Sequence, residues 1–197
     1  MISIYNIKPK FQQLLRPILV ALHGVGITAN ALTMTAIALS AAMGWVFWSS
    51  DSRYIFLILP LVLLLRMALN ALDGMMARTY NMQSRLGEIL NEVGDVVSDI
   101  FLFFPFVKLS FLNTYLLFAF ILLAVVNEFS GVLSKAMGGE RRYDGPMGKS
   151  DRALFFGLGC LLYFFFPVFV QEYANYGLVL AIILLIISTF TRLKKSL

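Results

Sequence analysis

"NALDGMMARTYNMQSRLGEILNEVGDVVSD" occupies Asn70–Asp99 and places five carboxylates in an otherwise oily chain. The 197 residues are 59% hydrophobic, with a mean hydropathy of +0.81, too apolar for an ordinary soluble domain. The stretch is therefore either a polar loop outside a membrane or a working site built on membrane helices. Helical periodicity favours the second. At about 100° per residue, Arg66, Asn70, Asp73, Gly74, Ala77 and Arg78 share one arc of about 140°. Glu88, Asn91, Glu92, Asp95 and Asp99 fall within about 100° on the next helix. A short link around Tyr80–Ser84 predicts that the two helices are antiparallel neighbours. Reflection about that link sets Asp73 beside Asn91, Asn70 near Asp95, and Arg66 level with Asp99 as a structural ion pair.

Outward from this stretch, apolar runs near the span length recur six times, at about 30–49, 54–76, 86–107, 112–134, 153–171 and 175–191. The predicted fold is an all-α integral membrane protein, a single domain over 1–197. It has six transmembrane helices and an N-terminal interfacial amphipathic helix at about residues 4–20. The first residues lack a small-residue cleavage site and do not read as a cleaved signal peptide. With six spans, thirteen Lys and Arg lie on the side of the termini against two on the other, which puts both termini in the cytoplasm. The net charge of +5 is thus a topology signal, and nucleic acid is not an expected partner. One Cys and one His exclude a disulfide within the chain and a histidine-based metal cluster; Cys160 reads as a small buried hydrophobe.

Asn70, Asp73, Asn91 and Asp95 form a cluster of oxygen donors, the chemistry that suits hard divalent ions such as Mg²⁺ or Mn²⁺. Charges in a membrane are costly, about 2.5–3.5 kcal/mol each on insertion scales, so facing acidic stripes call for a compensating cation. A structural polar zipper is the plainer alternative. The small Gly74, Ala77 and Gly87 leave room for a ligand, although they also permit close helix packing.

A second polar island, "SKAMGGERRYDGPMGKSDRALFF" from Ser134 to Phe156, is rich in turn residues. Ser150 or Asp151 is the expected cap of the fifth span. Arg141, Arg142, Lys149 and Arg152 are the candidate phosphate-binding residues, with headgroup attraction and topology as the alternative. Glu128, inside the fourth span, is either a partner for Arg66 or a wall of an acceptor pocket.

The spacing Asn70, Asp73, Gly74, Ala77, Arg78, Gly87, Asn91, Asp95 resembles the signature D-x2-D-G-x2-A-R-x8-G-x3-D-x3-D of the CDP-alcohol phosphotransferase family. All spacings are kept; six of eight fixed positions match and the other two are Asn in place of Asp. The resemblance implies transfer of a phosphatidyl group from a CDP-linked lipid, such as CDP-diacylglycerol, to an alcohol acceptor with release of CMP. It further implies divalent ions held at the four Asp positions, Asp73 as a metal ligand, and Asp95 as a ligand or the general base. Gly74, Ala77, Arg78 and Gly87 would line the CMP part, and homodimers are common in that family. The segment "TANALT" at Thr28–Thr33 resembles the family's entrance to its first span, which makes Asn30 and Thr33 nucleotide contacts or helix caps. The two Asn leave three consequences open: carboxylate ligation restored by Glu88 or Glu92, a site for one ion, or a lipid- or nucleotide-binding protein without turnover. An ion or proton carrier is the remaining alternative; carriers place such groups near mid-bilayer, whereas these acids lie towards one surface. A bacterial inner membrane is the expected location.

Overall fold

The structure, a computed structural model, describes residues 8–197 and holds only helices among them. Seven α-helices follow in order: α1 (Lys8–Gly24), α2 (Ala29–Ser49), α3 (Ile55–Thr79), α4 (Arg85–Phe103), α5 (Thr114–Ala136), α6 (Lys149–Phe165) and α7 (Pro167–Lys194). A 3₁₀ turn, Phe104–Lys108, prolongs α4. Four helices (α2, α3, α5 and α7) are long and apolar enough to cross a membrane. The other two expected spans differ for distinct reasons: α4 carries the acidic stripe, and α6 has 17 residues, about 25 Å of helix. Large apolar side chains such as Trp45, Leu61, Leu122 and Val168 point outward from the bundle, as a lipid-facing surface requires.

The expected break between the last two spans, over 171–175, is misplaced. α6 ends at Phe165 and α7 starts at once with Pro167 at its first position, where proline's missing N–H costs nothing. The polar "QEYANYG" runs inside α7. It is tolerated there because Asn175 accepts the Asn113 N–H at 2.7 Å and donates to the Phe111 carbonyl at 2.8 Å.

The N-terminal helix expected at 4–20 runs from Lys8 to Gly24, and the part before residue 8 lies outside the described residues. Leu15 and Leu19, one turn apart, face inward, while Leu14, Ile18 and Val20 are exposed. α1 packs along α3, and His23 stacks on Tyr80 with ring centroids 3.5 Å apart.

The expected neighbours α3 and α4 meet through side chains rather than through close backbone packing. Both pack extensively on α2 and only marginally on each other. The side chains of Arg66 and Asn70 bridge to α4, and spanning with long polar groups keeps two backbones apart. The α2–α4 seam is close because it is lined with glycine. A Cβ on Gly94 would lie 2.6 Å from Ile37 Cδ1, and one on Gly44 would run into the Phe101 carbonyl. Gly44→Ala should therefore destabilise the protein by about 1–3 kcal/mol, as overpacking does, measured by thermal unfolding in detergent. An aromatic core fills the opposite half of the bundle, where Phe103 and Phe156 stack at 4.3 Å. That leaves polar groups concentrated at the end formed by the α3–α4 link and the α5–α6 loop.

Candidate active site

Arg66, Asn70 and Asp73 sit at i, i+4 and i+7 of α3, and Asp95 and Asp99 at i and i+4 of α4, so each set shares a face. Asn70 donates its amide to Asp95 Oδ1 at 2.8 Å. Arg66 pairs with Asp99 at 2.5 Å and donates to the Asp95 carbonyl at 3.1 Å. Asp73 is buried and accepts the Thr33 hydroxyl at 2.8 Å; this bond from α2 stands where sequence reflection put Asn91. Asp73 lies within electrostatic reach of Asp95 and Lys149, yet no ion pair touches it among the described residues.

Lys149 enters from the first position of α6 and pairs with Asp95 Oδ2. The cap of α6 is neither Ser150 nor Asp151. Gly148 holds the capping position, and Asp151, three residues on, accepts its N–H at 3.2 Å. That shift puts Lys149 at the helix entrance, aimed at the carboxylates. Asp95 is thus held at both oxygens, by Asn70 and by Lys149.

The nucleotide-lining candidates group near the α2 entrance. Thr28 caps α2, accepting the Ala31 N–H at 3.2 Å, while Asn30 lies against Gly87 of α4. A Cβ on Gly87 would come 2.6 Å from Asn30 Oδ1, so a larger residue there would push the Asn30 amide aside. Gly74 lies beneath the Arg78 guanidinium, which is solvent-exposed, and Ala77 packs into the α1–α2–α3 core.

Most of the remaining candidates are already partnered. Glu88 pairs with Lys135 at the surface, and Glu92 receives Arg141 Nη2 at 2.6 Å. Neither joins Asp73, and among the described residues no group of three or more His, Cys, Asp or Glu is arranged to hold a metal. Asn91 is half-buried. Arg152, fully buried, bonds Asp99 at 2.8 Å, Glu128 at 2.9 Å and the Met147 carbonyl at 3.0 Å. Arg142 donates to the Lys195 carbonyl at 2.8 Å. Glu128 does not partner Arg66; it receives Arg141 and Arg152, each at 2.9 Å, with Arg192 at 3.8 Å. Burial disfavours the Arg141 charge, but Glu92, Tyr143 and Glu128 more than offset this and raise its pKa.

Sequence reasoning counted Arg192 only as a charge at a span end. In the fold it is buried, donating to the carbonyls of Asn127 at 2.7 Å and Asp144 at 3.1 Å. The missed signal is its place one turn after Ser188, which bonds the same Asp144 carbonyl at 3.1 Å.

The site therefore combines a carboxylate that no ion pair touches among the described residues, a second one clamped by an ammonium, and a buried lattice of arginines and acids beside them. Comparisons with known proteins agree with this architecture. The inner membrane protein YnbA of Escherichia coli is 48% identical over 169 residues, spanning 86% of this chain and 84% of that protein. The fold matches phosphatidylinositol phosphate synthase (PgsA1) of Mycobacterium tuberculosis crystallised with CDP-DAG bound. That match has a TM-score of 0.75 at 20% identity and covers 93% of this chain and 94% of the other. The same enzyme in complex with manganese and citrate matches with a TM-score of 0.72 at 21% identity, over 91% and 87% of the two chains. A sequence profile of CDP-alcohol phosphatidyltransferases fits residues 26–191, and on this match the chain belongs to the CDP-alcohol phosphatidyltransferase family.

Proposed function

We propose that the protein transfers the phosphatidyl group of a CDP-linked lipid, such as CDP-diacylglycerol, to the hydroxyl of an alcohol acceptor, releasing CMP. The observation that carries this reading is the convergence of Asp73, Asn70 and Asp95 with Thr33 and Lys149 at one end of the bundle. In the reaction the acceptor oxygen bonds to the lipid-bearing phosphorus. The bond from that phosphorus to the bridging oxygen breaks, CMP leaves with the electron pair, and the acceptor proton passes to a carboxylate. Lys149 offers positive charge to the diphosphate. Moving towards that more highly charged anion releases Asp95 Oδ2, which then accepts the proton within hydrogen-bond reach. Asn30, Gly87 and Gly74 leave a small-residue wall for the nucleotide.

The donor set fits one hard divalent ion rather than two. Among the described residues no ion pair touches Asp73, and the carbonyl oxygen of Asn70, on the same face of α3, would add an oxygen donor. Asp95, by contrast, is held at both oxygens. Mg²⁺ and Mn²⁺ are commonly bound by one or two carboxylates together with substrate phosphates. Such an ion, when bound, would shield the diphosphate and stabilise the leaving CMP. The relative crystallised with manganese supports this choice of ion.

The excess of Lys and Arg at this end supports a cytoplasmic face with both termini on it, and the relative named an inner membrane protein supports that location. Such a placement lets soluble CMP leave while the lipid tails stay in the bilayer. Asn70 and Asn91 are the observation on the side of a binding protein without turnover, and one assay separates the two. Purified protein in liposomes with labelled CDP-diacylglycerol, Mn²⁺ and a panel of alcohols should release CMP, and EDTA should stop it. Absence of release with every acceptor would refute the transferase reading.

A further inference from the structure

The arginine lattice has a consequence for the acceptor. Five cations face the site from α3, α6, α7 and the α5–α6 loop: Arg66, Arg141, Lys149, Arg152 and Arg192. Five carboxylates lie beside them: Glu92, Asp95, Asp99 and Glu128 in ion pairs, and Asp73 bonded to the Thr33 hydroxyl. The formal charge of this cluster is therefore close to zero. Glu128 is the centre of this neutralisation. It is 5% exposed and draws Arg141, Arg152 and Arg192 onto one carboxylate. Arg192 already donates Nε–H to the Asp144 carbonyl and Nη1–H to the Asn127 carbonyl, and each nitrogen of Arg152 already donates, to Asp99, the Met147 carbonyl and Glu128. A phosphate monoester carries close to two negative charges and needs a surplus of positive charge with free donors. Here it would meet guanidiniums already compensated and a buried carboxylate that repels it. An uncharged hydroxyl needs only hydrogen-bonding edges. Arg141 Nη1, buried and without a hydrogen-bond partner among the described residues, supplies one donor, and Glu128 beside it supplies an acceptor.

We infer that Glu128 sets the acceptor class by neutralising the arginine cluster from within, so that the protein uses alcohols without a phosphate group and discriminates against phosphorylated ones. The inference rests on the transferase reading for its kinetic arm and has a binding arm independent of it. In the kinetic arm, wild-type protein with CDP-diacylglycerol is given glycerol, inositol and serine against glycerol phosphate and inositol phosphate. The unphosphorylated set should have the higher kcat/KM by about tenfold or more, as one like-charge juxtaposition at a buried site imposes. Glu128→Gln should raise kcat/KM for the phosphorylated acceptors by a similar factor. Higher kcat/KM of the wild type on a phosphorylated acceptor would overturn the inference while leaving the transferase reading intact.

The binding arm titrates inorganic phosphate into detergent-solubilised protein by calorimetry. Wild type should bind none at millimolar phosphate and E128Q should bind it; saturable binding to wild type overturns the inference. If no acceptor releases CMP, the transferase reading fails and this titration decides the pocket. If E128Q does not purify folded, the wild-type titration decides alone.

Discussion

Replacing Asp73 by alanine is expected to lower CMP release from CDP-diacylglycerol by about 10²–10³-fold, the usual effect of deleting one group that stabilises transition-state charge. The reasoning is electrostatic. Asp73 is buried, its one side-chain partner is the Thr33 hydroxyl, and no lysine or arginine of the described residues contacts it. A buried carboxylate without a partner is costly unless a ligand completes it. Because no lysine or arginine of the described residues is paired with Asp73, the same substitution should leave thermal stability unchanged or slightly raised. Activity and unfolding temperature should thus separate. Activity within a few-fold of wild type would remove Asp73 from the chemistry.

Asp99→Ala should do the reverse, acting on the fold first. Asp99 receives Arg66 at 2.5 Å and Arg152 at 2.8 Å, and both guanidiniums are at most 1% exposed. Removing the carboxylate leaves two buried cations undercompensated, and breaking a buried pair in this way costs about 3–5 kcal/mol. Equilibrium unfolding in detergent would measure the loss, and a value under about 1 kcal/mol would contradict the pairing. The double replacement Arg66→Met with Asp99→Leu should recover part of the stability, because swapping a buried ion pair for packed hydrophobes is often neutral. Arg152 would retain Glu128 in that variant.

The two polar stripes were readable because helical period fixes which side chains share a face. Arg66–Asp99 and Asn70–Asp95 followed from that period and a short link. Period does not say which helix lies between two others. The packing of α2 against both α3 and α4, and hence the Thr33 bond to Asp73, came only with the fold. Hydropathy also misread "QEYANYG" as a break, because it scores polarity and not satisfaction. Asn175 is satisfied by Asn113 and Phe111, and the break belongs at Phe166, before Pro167.

Charges near span ends were the hardest to read. Arg192, Arg152 and Lys149 look alike in sequence, as cations flanking apolar runs. In the fold Arg192 and Arg152 lock backbone carbonyls and acids, while Lys149 reaches the clamped carboxylate. Distinguishing them requires knowing that the loop Gly138–Gly148 folds back over α5 and α7. Its anchors are the Arg142 N–H bonded to the Gly131 carbonyl at 3.1 Å and the Asp144 carbonyl bonded to Ser188 and Arg192.

Counting manganese bound per chain in the presence of CDP-diacylglycerol, by electron paramagnetic resonance on purified protein, tests the donor set most directly. One ion per chain, lost in Asp73→Ala and kept in Glu88→Gln, is the predicted result. Two ions per chain, or none at all, would contradict it.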